Sequence, residues 1–104
     1  MNKTLKYKPF RGGVIITDIG DNLMTGNVVI PDRIDGKLVT AIGEWAFSHC
    51  YKLTSVTVPN SVKSIGDYAF DGCTALVSIT IPAGLQKIGI DAFPDSTKTK
   101  IIRK

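Results

Sequence analysis

The sequence predicts a stacked-repeat solenoid of short parallel β-strands, closed at its N-terminal side by an irregular β cap. Three observations carry that expectation. One motif recurs at a fixed spacing: IGEWAFSHC at 42–50, IGDYAFDGC at 65–73 and IGIDAFPDS at 88–96, each 23 residues after the last. A period of that size marks stacked supersecondary units. The segments between the motifs alternate polar with apolar residues and then stop at proline, as Ser55-Val56-Thr57-Val58-Pro59 does, which reads as a half-buried strand. Composition agrees: 104 residues with a 43% apolar fraction suit one folded domain with a modest core.

Residues 1–12 show no clear periodicity, and Tyr7, Pro9 and Phe10 are available to cover the open end of the stack. Gly12-Gly13 allows a turn. Residues 14–19 are β-branched and read as a strand. Gly20-Asp21-Asn22 is a turn signal, Gly26 marks a second break, and 27–30 form another strand stopped by Pro31. The two strands are expected to pair as a hairpin at the N-terminal edge. Residues 32–37 read as a loop turned by Asp35-Gly36. Pro31 stands 11 residues before Ile42, whereas Pro59 and Pro82 stand six before Ile65 and Ile88, so the first repeat carries a five-residue insertion.

The regular repeats begin at Leu53 and Leu76. Val56/Ile79, Val58/Ile81, Val62/Leu85, Ala69/Ala92 and Phe70/Phe93 match across them. In each, a strand ends at proline, a second short extended piece leads to Ile-Gly, and residues 67–70 leave room for a single helical or 3-10 turn capped by Asp67. One coil cannot bury these apolar residues alone, but stacked coils turn each position into a ladder along the axis. Phe47, Phe70 and Phe93 should form one ladder and Ile42, Ile65 and Ile88 another. Ile102 lies 23 residues after Ile79 and extends the pattern by one strand, with flanking lysines suited to an edge. A single domain, 1–104, thus divides into a cap with the irregular first repeat (1–41), stacked repeats (42–96) and a terminal strand (97–104).

The motif Leu-x-x-Ile-x-Ile-Pro-x-x-Val-x-x-Ile-Gly-x-x-Ala-Phe-x-x-Cys, matched by Leu53 to Cys73 and, with Ser96 in place of cysteine, by the repeat from Leu76, resembles the BspA-like (Treponema-type) leucine-rich repeat family. The first unit is also similar, with Ile30-Pro31, Asp35-Gly36 and Val39-Thr40-Ala41-Ile42-Gly43. The resemblance covers 14–104. It implies a right-handed leucine-rich-repeat solenoid and a binding or adhesion role, often on bacterial cell surfaces. Fold alone assigns no function.

Charge is divided by position. The net +4 combines eight basic residues near the two ends with a repeat body in which nine acids outnumber five bases. Basic ends touch phosphate or anionic lipid in some proteins, but here no aromatic residues interleave in a base-stacking pattern. The expectation is solvated ends that keep the stack soluble, with no nucleic-acid partner. No apolar run reaches membrane-spanning length, and the basic N-terminus lacks the apolar stretch of a signal peptide. A complete chain would then be cytoplasmic, and one excised from a longer family member would be secreted or on the cell surface.

Chemistry-bearing residues are few. Cys50 and Cys73 stand one period apart, within disulfide reach in adjacent coils, although small buried thiols fit the motif better. His49 is the single histidine, so no metal set is apparent. Ser48 and His49 lack the third group and oxyanion site of a nucleophilic catalyst. Catalysis, cofactors and metals are therefore not expected. Candidate protein-binding residues are the outward strand positions Asn27, Val29, Ser55, Thr57, Ser78 and Thr80, together with Trp45 and Tyr68 at equivalent positions and Tyr51 nearby. Tyr and Trp are enriched at binding hot spots, and also commonly shield the edge of a core. The function expected is a non-catalytic protein-binding module, with a structural or self-associating spacer, stacked end to end, as the alternative.

Overall fold

Alternation along the chain sets the strands, and the 23-residue period sets which strands meet. The structure, a computed structural model, describes residues 5–19, 25–94 and 99–104. Its strands are β1 (Lys6–Phe10), β2 (Gly13–Asp18), β3 (Thr25–Val29), β4 (Arg33–Ile34), β5 (Lys37–Ile42), β6 (Lys52–Thr57), β7 (Ser64–Ile65), β8 (Ser78–Ile81), β9 (Lys87–Ile88) and β10 (Lys100–Arg103). They form a β-solenoid with two sheets along its axis. One runs β1-β2-β5-β7-β9 with β4 beside β5, and the other runs β10-β8-β6-β3. Apart from the pairings β1·β2 and β4·β5, every pairing is parallel.

Each inward position becomes a column. Ile16, Ile42, Ile65 and Ile88 stand in register in the first sheet, and Val28, Val56, Ile79 and Ile101 in the second. Phe47 and Phe70 stack with centroids 5.1 Å apart and Phe93 follows at 6.2 Å, the third column. The first spacing is close to the strand-to-strand distance of about 4.8 Å, so the rings follow the backbone repeat. Prolines end the ladders: Val58 still donates to the Thr80 carbonyl at 2.8 Å, and Pro59 after it has no N–H to give.

The segment expected to hold a helical turn holds none, and among the described residues no helix forms at all. Hydrogen bonding explains why. Trp45, Phe47 and His49 donate their amides to Asp67, Ala69 and Asp71 of the next coil, while Ala46 and Ser48 donate within their own coil to Gly43 and Trp45. A helix would need all these donors for itself. Left-handed backbone at Trp45 (φ 60°), Tyr68 (φ 57°) and Asp91 (φ 48°) aims alternate amides along the axis instead. Asp67 correspondingly caps no helix; its carboxylate accepts from the Ile90 amide one coil further on, at 2.8 Å.

The corner glycines allow the coils to touch. A Cβ on Gly66 would lie 2.7 Å from the Glu44 nitrogen and 2.9 Å from the Gly43 carbonyl carbon, inside van der Waals distance of backbone that cannot step aside.

Four N-terminal and C-terminal expectations are corrected. Residues 14–19 and 27–30 do not pair with one another, because β2 and β3 are the two sides of one coil and lie in different sheets; the expected turn at 20–22 falls outside the described residues. The N-terminal hairpin is β1–β2 instead, so the apparently aperiodic 6–10 is a strand. The insertion at 32–37 is itself a hairpin, β4–β5, turned by Asp35 and Gly36 at φ 52° and 79°. The last strand forms, but Ile101 and not Ile102 sits beside Ile79. The strand arrives one residue early, and Ile102 falls beside Thr80.

Candidate functional site

The outward positions of the second sheet follow from the same alternation as the core. With Val56 and Ile79 buried, Ser55, Thr57, Ser78 and Thr80 must point out, and they line up as Asn27–Ser55–Ser78 and Val29–Thr57–Thr80. Ser55 Oγ donates to Asn27 Oδ1 at 2.7 Å, tying the first column across two coils. Ser55, Thr57, Ser78 and Thr80 are half-buried by their neighbours, whereas Val29 is 66% exposed. The face is thus small and polar in its middle, with one bare apolar residue at its N-terminal edge. Val77, exposed just before β8, adds a second.

Trp45 and Tyr68 lie on the connecting turn, off the strand face. Their rings stack at 4.6 Å with 12° between planes. The geometry comes from the left-handed backbone at both positions, which projects equivalent side chains one above the other. Asp91 occupies the same backbone state one coil later and ends the aromatic column. Trp45 remains 47% exposed and Tyr51 57%. Tyr51 meets His49 in a tilted contact at 5.8 Å, so the aromatic surface continues around the turn toward β6. The structure brings Trp45 to Tyr68 and Asn27 to Ser55; it places the two sets on different sides of the coil.

The two cysteine side chains are turned inward. Cys50 and Cys73 are both buried thiols, not joined in a disulfide. Cys73 Sγ–H donates to the Phe47 carbonyl at 3.0 Å. Hydrogen bonding with Cys50 and burial push the Cys73 thiol far above its ordinary range, which suppresses the thiolate a nucleophile needs. His49 is exposed in a left-handed turn (φ 61°), and Gly72, half-buried in the equivalent position of the next coil, shares that backbone (φ 78°). Among the described residues no three His, Cys, Asp or Glu side chains come together to hold a metal ion.

A cationic feature escaped the repeat-based reading. Arg11, Arg33 and Lys37 line one open groove between the tips of hairpins β1–β2 and β4–β5. The signal available in the sequence was a pair of turn dipeptides, Arg11-Gly12 and Asp35-Gly36, outside the repeat register.

Coils with two strand ladders, a proline corner, an Ile-Gly corner and a stacked Ala-Phe column define a leucine-rich-repeat solenoid of the kind built from 23-residue units. Residues 16–103 match the BspA type Leucine rich repeat region (6 copies), and the chain belongs to that family. Three solved structures resemble it. A leucine rich cell surface protein from Faecalibacterium prausnitzii superposes with a TM-score of 0.80 at 28% identity, covering 98% of this chain and 29% of that one. The Treponema pallidum leucine rich repeat protein gives 0.66 at 30% identity, over 97% and 62%. A leucine-rich repeat protein from Bacteroides ovatus gives 0.62 at 24% identity, over 100% and 37%, and supports the fold alone. The chain therefore spans between about a third and two thirds of the length of these proteins. Among curated proteins nothing matches.

Proposed function

We propose that this chain is a non-catalytic, adhesion-type protein-binding module with two contact surfaces: the aromatic column Trp45–Tyr68 with Tyr51, and, on another side of the coil, the strand face of Asn27, Val29, Ser55, Thr57, Ser78 and Thr80. The observation that carries the reading is the exposed stack at 4.6 Å. The two large rings stack on each other and still present about half of Trp45 to solvent. Such rings give contact area at little loss of side-chain entropy on binding. The description of the Faecalibacterium protein as a cell surface protein supports placing a partner outside the cell.

The test is site-specific photocrosslinking. Tyr51→benzoylphenylalanine, presented to intact bacteria and to secreted proteins, is expected to give discrete protein adducts. Those adducts should vanish when Trp45→Ala and Tyr68→Ala are combined, with the circular dichroism spectrum unchanged. Identical adducts from the double variant would reject the aromatic surface. The spacer alternative draws on the open edge strand β10, but Lys100, Arg103 and Lys104 crowd cations along that edge and oppose stacking on the basic N-terminal end. Sedimentation at increasing concentration separates the readings: binding without self-association predicts constant monomer mass.

A further inference from the structure

We infer that the groove between the two hairpin tips is an anion-binding site, built for a saccharide carrying sulfate or phosphate esters and separate from the aromatic surface. The groove is open to solvent and offers about 630 Å³, within the range of small-ligand sites. Arg11, Arg33 and Lys37 line it, with Phe10 and Leu38 as apolar walls, and none of its lining residues is an acid. Among the described residues, neither arginine's contact is with a carboxylate. Arg11 lies 5.2 Å over the Phe10 ring, and Arg33 Nη1 donates to the Gly36 carbonyl at 3.1 Å.

The nearest carboxylate on the hairpin tip is already engaged. Tyr7 donates its hydroxyl to Asp35 Oδ2, and that bond to Asp35 raises the Tyr7 pKa. The same bond ties one hairpin to the other. Thr40 Oγ1 adds a second tie to the Phe10 carbonyl at 3.3 Å. Gly13 adds a third, since any Cβ there would collide with the Leu38 carbonyl oxygen. The groove is thus formed before any ligand arrives, which lowers the cost of binding.

Its two turns share one unusual geometry. Arg11-Gly12 (φ 47° and 80°) and Asp35-Gly36 (φ 52° and 79°) both carry positive φ at each central residue, the two-residue hairpin turn that favours Asn, Asp or Gly first. Arginine at that first position is disfavoured, so the Arg11 side chain is held at the groove against local preference. The inserted hairpin β4–β5, which the repeat does not require, supplies the other two cations. Two planar guanidinium forks match tetrahedral oxyanions bidentately, and the apolar walls accept the uncharged body of a sugar.

The experiment is titration calorimetry of the full chain at physiological salt with three probes: a heparin-derived hexasaccharide, glucose 6-phosphate and a tetra-glutamate peptide. The sulfated hexasaccharide or the sugar phosphate should bind, and which one does identifies the ester. Arg11→Asn with Arg33→Gln should weaken that binding by about tenfold or more, since each lost contact is a hydrogen bond between charged groups. Arg11→Asn suits the left-handed turn better than arginine, so the variant keeps its fold. Lys100→Gln with Arg103→Gln removes the same charge elsewhere and should change affinity less than about twofold. Equal losses in both variants would reduce the effect to net charge and overturn the site. Preference for the peptide, or binding of none of the three, would overturn it as well.

Discussion

The coil from Leu53 to Ala75 and the coil that follows it carry nearly the same residues at the same positions, yet Val62, Ile65 and Phe70 are buried in the first while Leu85, Ile88 and Phe93 are not in the second. Ile65 is 1% exposed and its counterpart Ile88 39%; in the second sheet the change comes one strand later, where Ile79 is fully buried and Ile101, beside it in the terminal strand, is 40% exposed. Phe70 is sealed between two rings, whereas Phe93 has one ring neighbour and stays half-buried. Nothing in the residue types produces this difference. Burial here is conferred by the adjacent coil, so the worth of a side chain depends on its place in the stack.

Substitutions sharpen that comparison. The largest contrast is expected at the aromatic column. Phe70→Ala should cost about 3–5 kcal/mol, the range for emptying a filled core site. Phe93→Ala should cost less than about half of that, measured side by side by urea unfolding. Equal losses would break the comparison. The corner glycines come next. Gly66→Ala forces a Cβ into the Glu44 backbone and should cost about 1–3 kcal/mol. At Gly84 the nearest atom to a new Cβ is the flexible end of Lys63 at 3.6 Å, and alanine should stay within about 0.5 kcal/mol of neutral.

Smaller effects follow from the thiols and the surface. The folded Cys73 thiol holds its proton to higher pH than the unfolded one. Its contribution to stability is therefore complete below the ordinary thiol value of about 8.5 and falls as pH rises beyond it. Unfolding midpoints should decline more steeply between pH 8.5 and 10 in the wild type than in Cys73→Ala, and Ellman's reagent should label neither thiol in the folded chain at neutral pH. Trp45→Ala should cost less than Phe70→Ala, about 1 kcal/mol for a half-exposed aromatic pair, because its ring lies outside the core column.

The columns were legible because identical residue types recur at a fixed offset, and Ile65 over Ile42 or Phe70 over Phe47 needs no more than that. The turn at 67–70 was not legible. Asp-Tyr-Ala-Phe suits a capped helical turn by propensity, but its alternate amides are spent on a neighbouring coil, which no local preference encodes. The last strand escaped exact placement because it meets β8 one residue ahead of the 23-residue register, and a period cannot reveal its own interruption. The aromatic pair could be foreseen from its equivalent positions; its left-handed backbone could not, since tryptophan and tyrosine are poor choices for positive φ. The cationic groove lay outside the repeat altogether. Arg11 and Arg33 line one groove because two hairpin tips lie beside each other, a fact of tertiary placement.

Native-state hydrogen exchange tests most directly the claim that neighbouring coils confer stability. Phe47 and Gly66 donate to carbonyls of adjacent coils at 2.8 and 2.7 Å in the middle of the stack, and Lys100 and Lys104 make equivalent bonds at 2.9 and 3.0 Å on the edge strand. The bond lengths barely differ; the number of flanking coils does. Protection at Phe47 and Gly66 should exceed that at Lys100 and Lys104 by about a hundredfold or more. Uniform protection across the four amides would mean that the chain opens only as a whole, and would contradict the account.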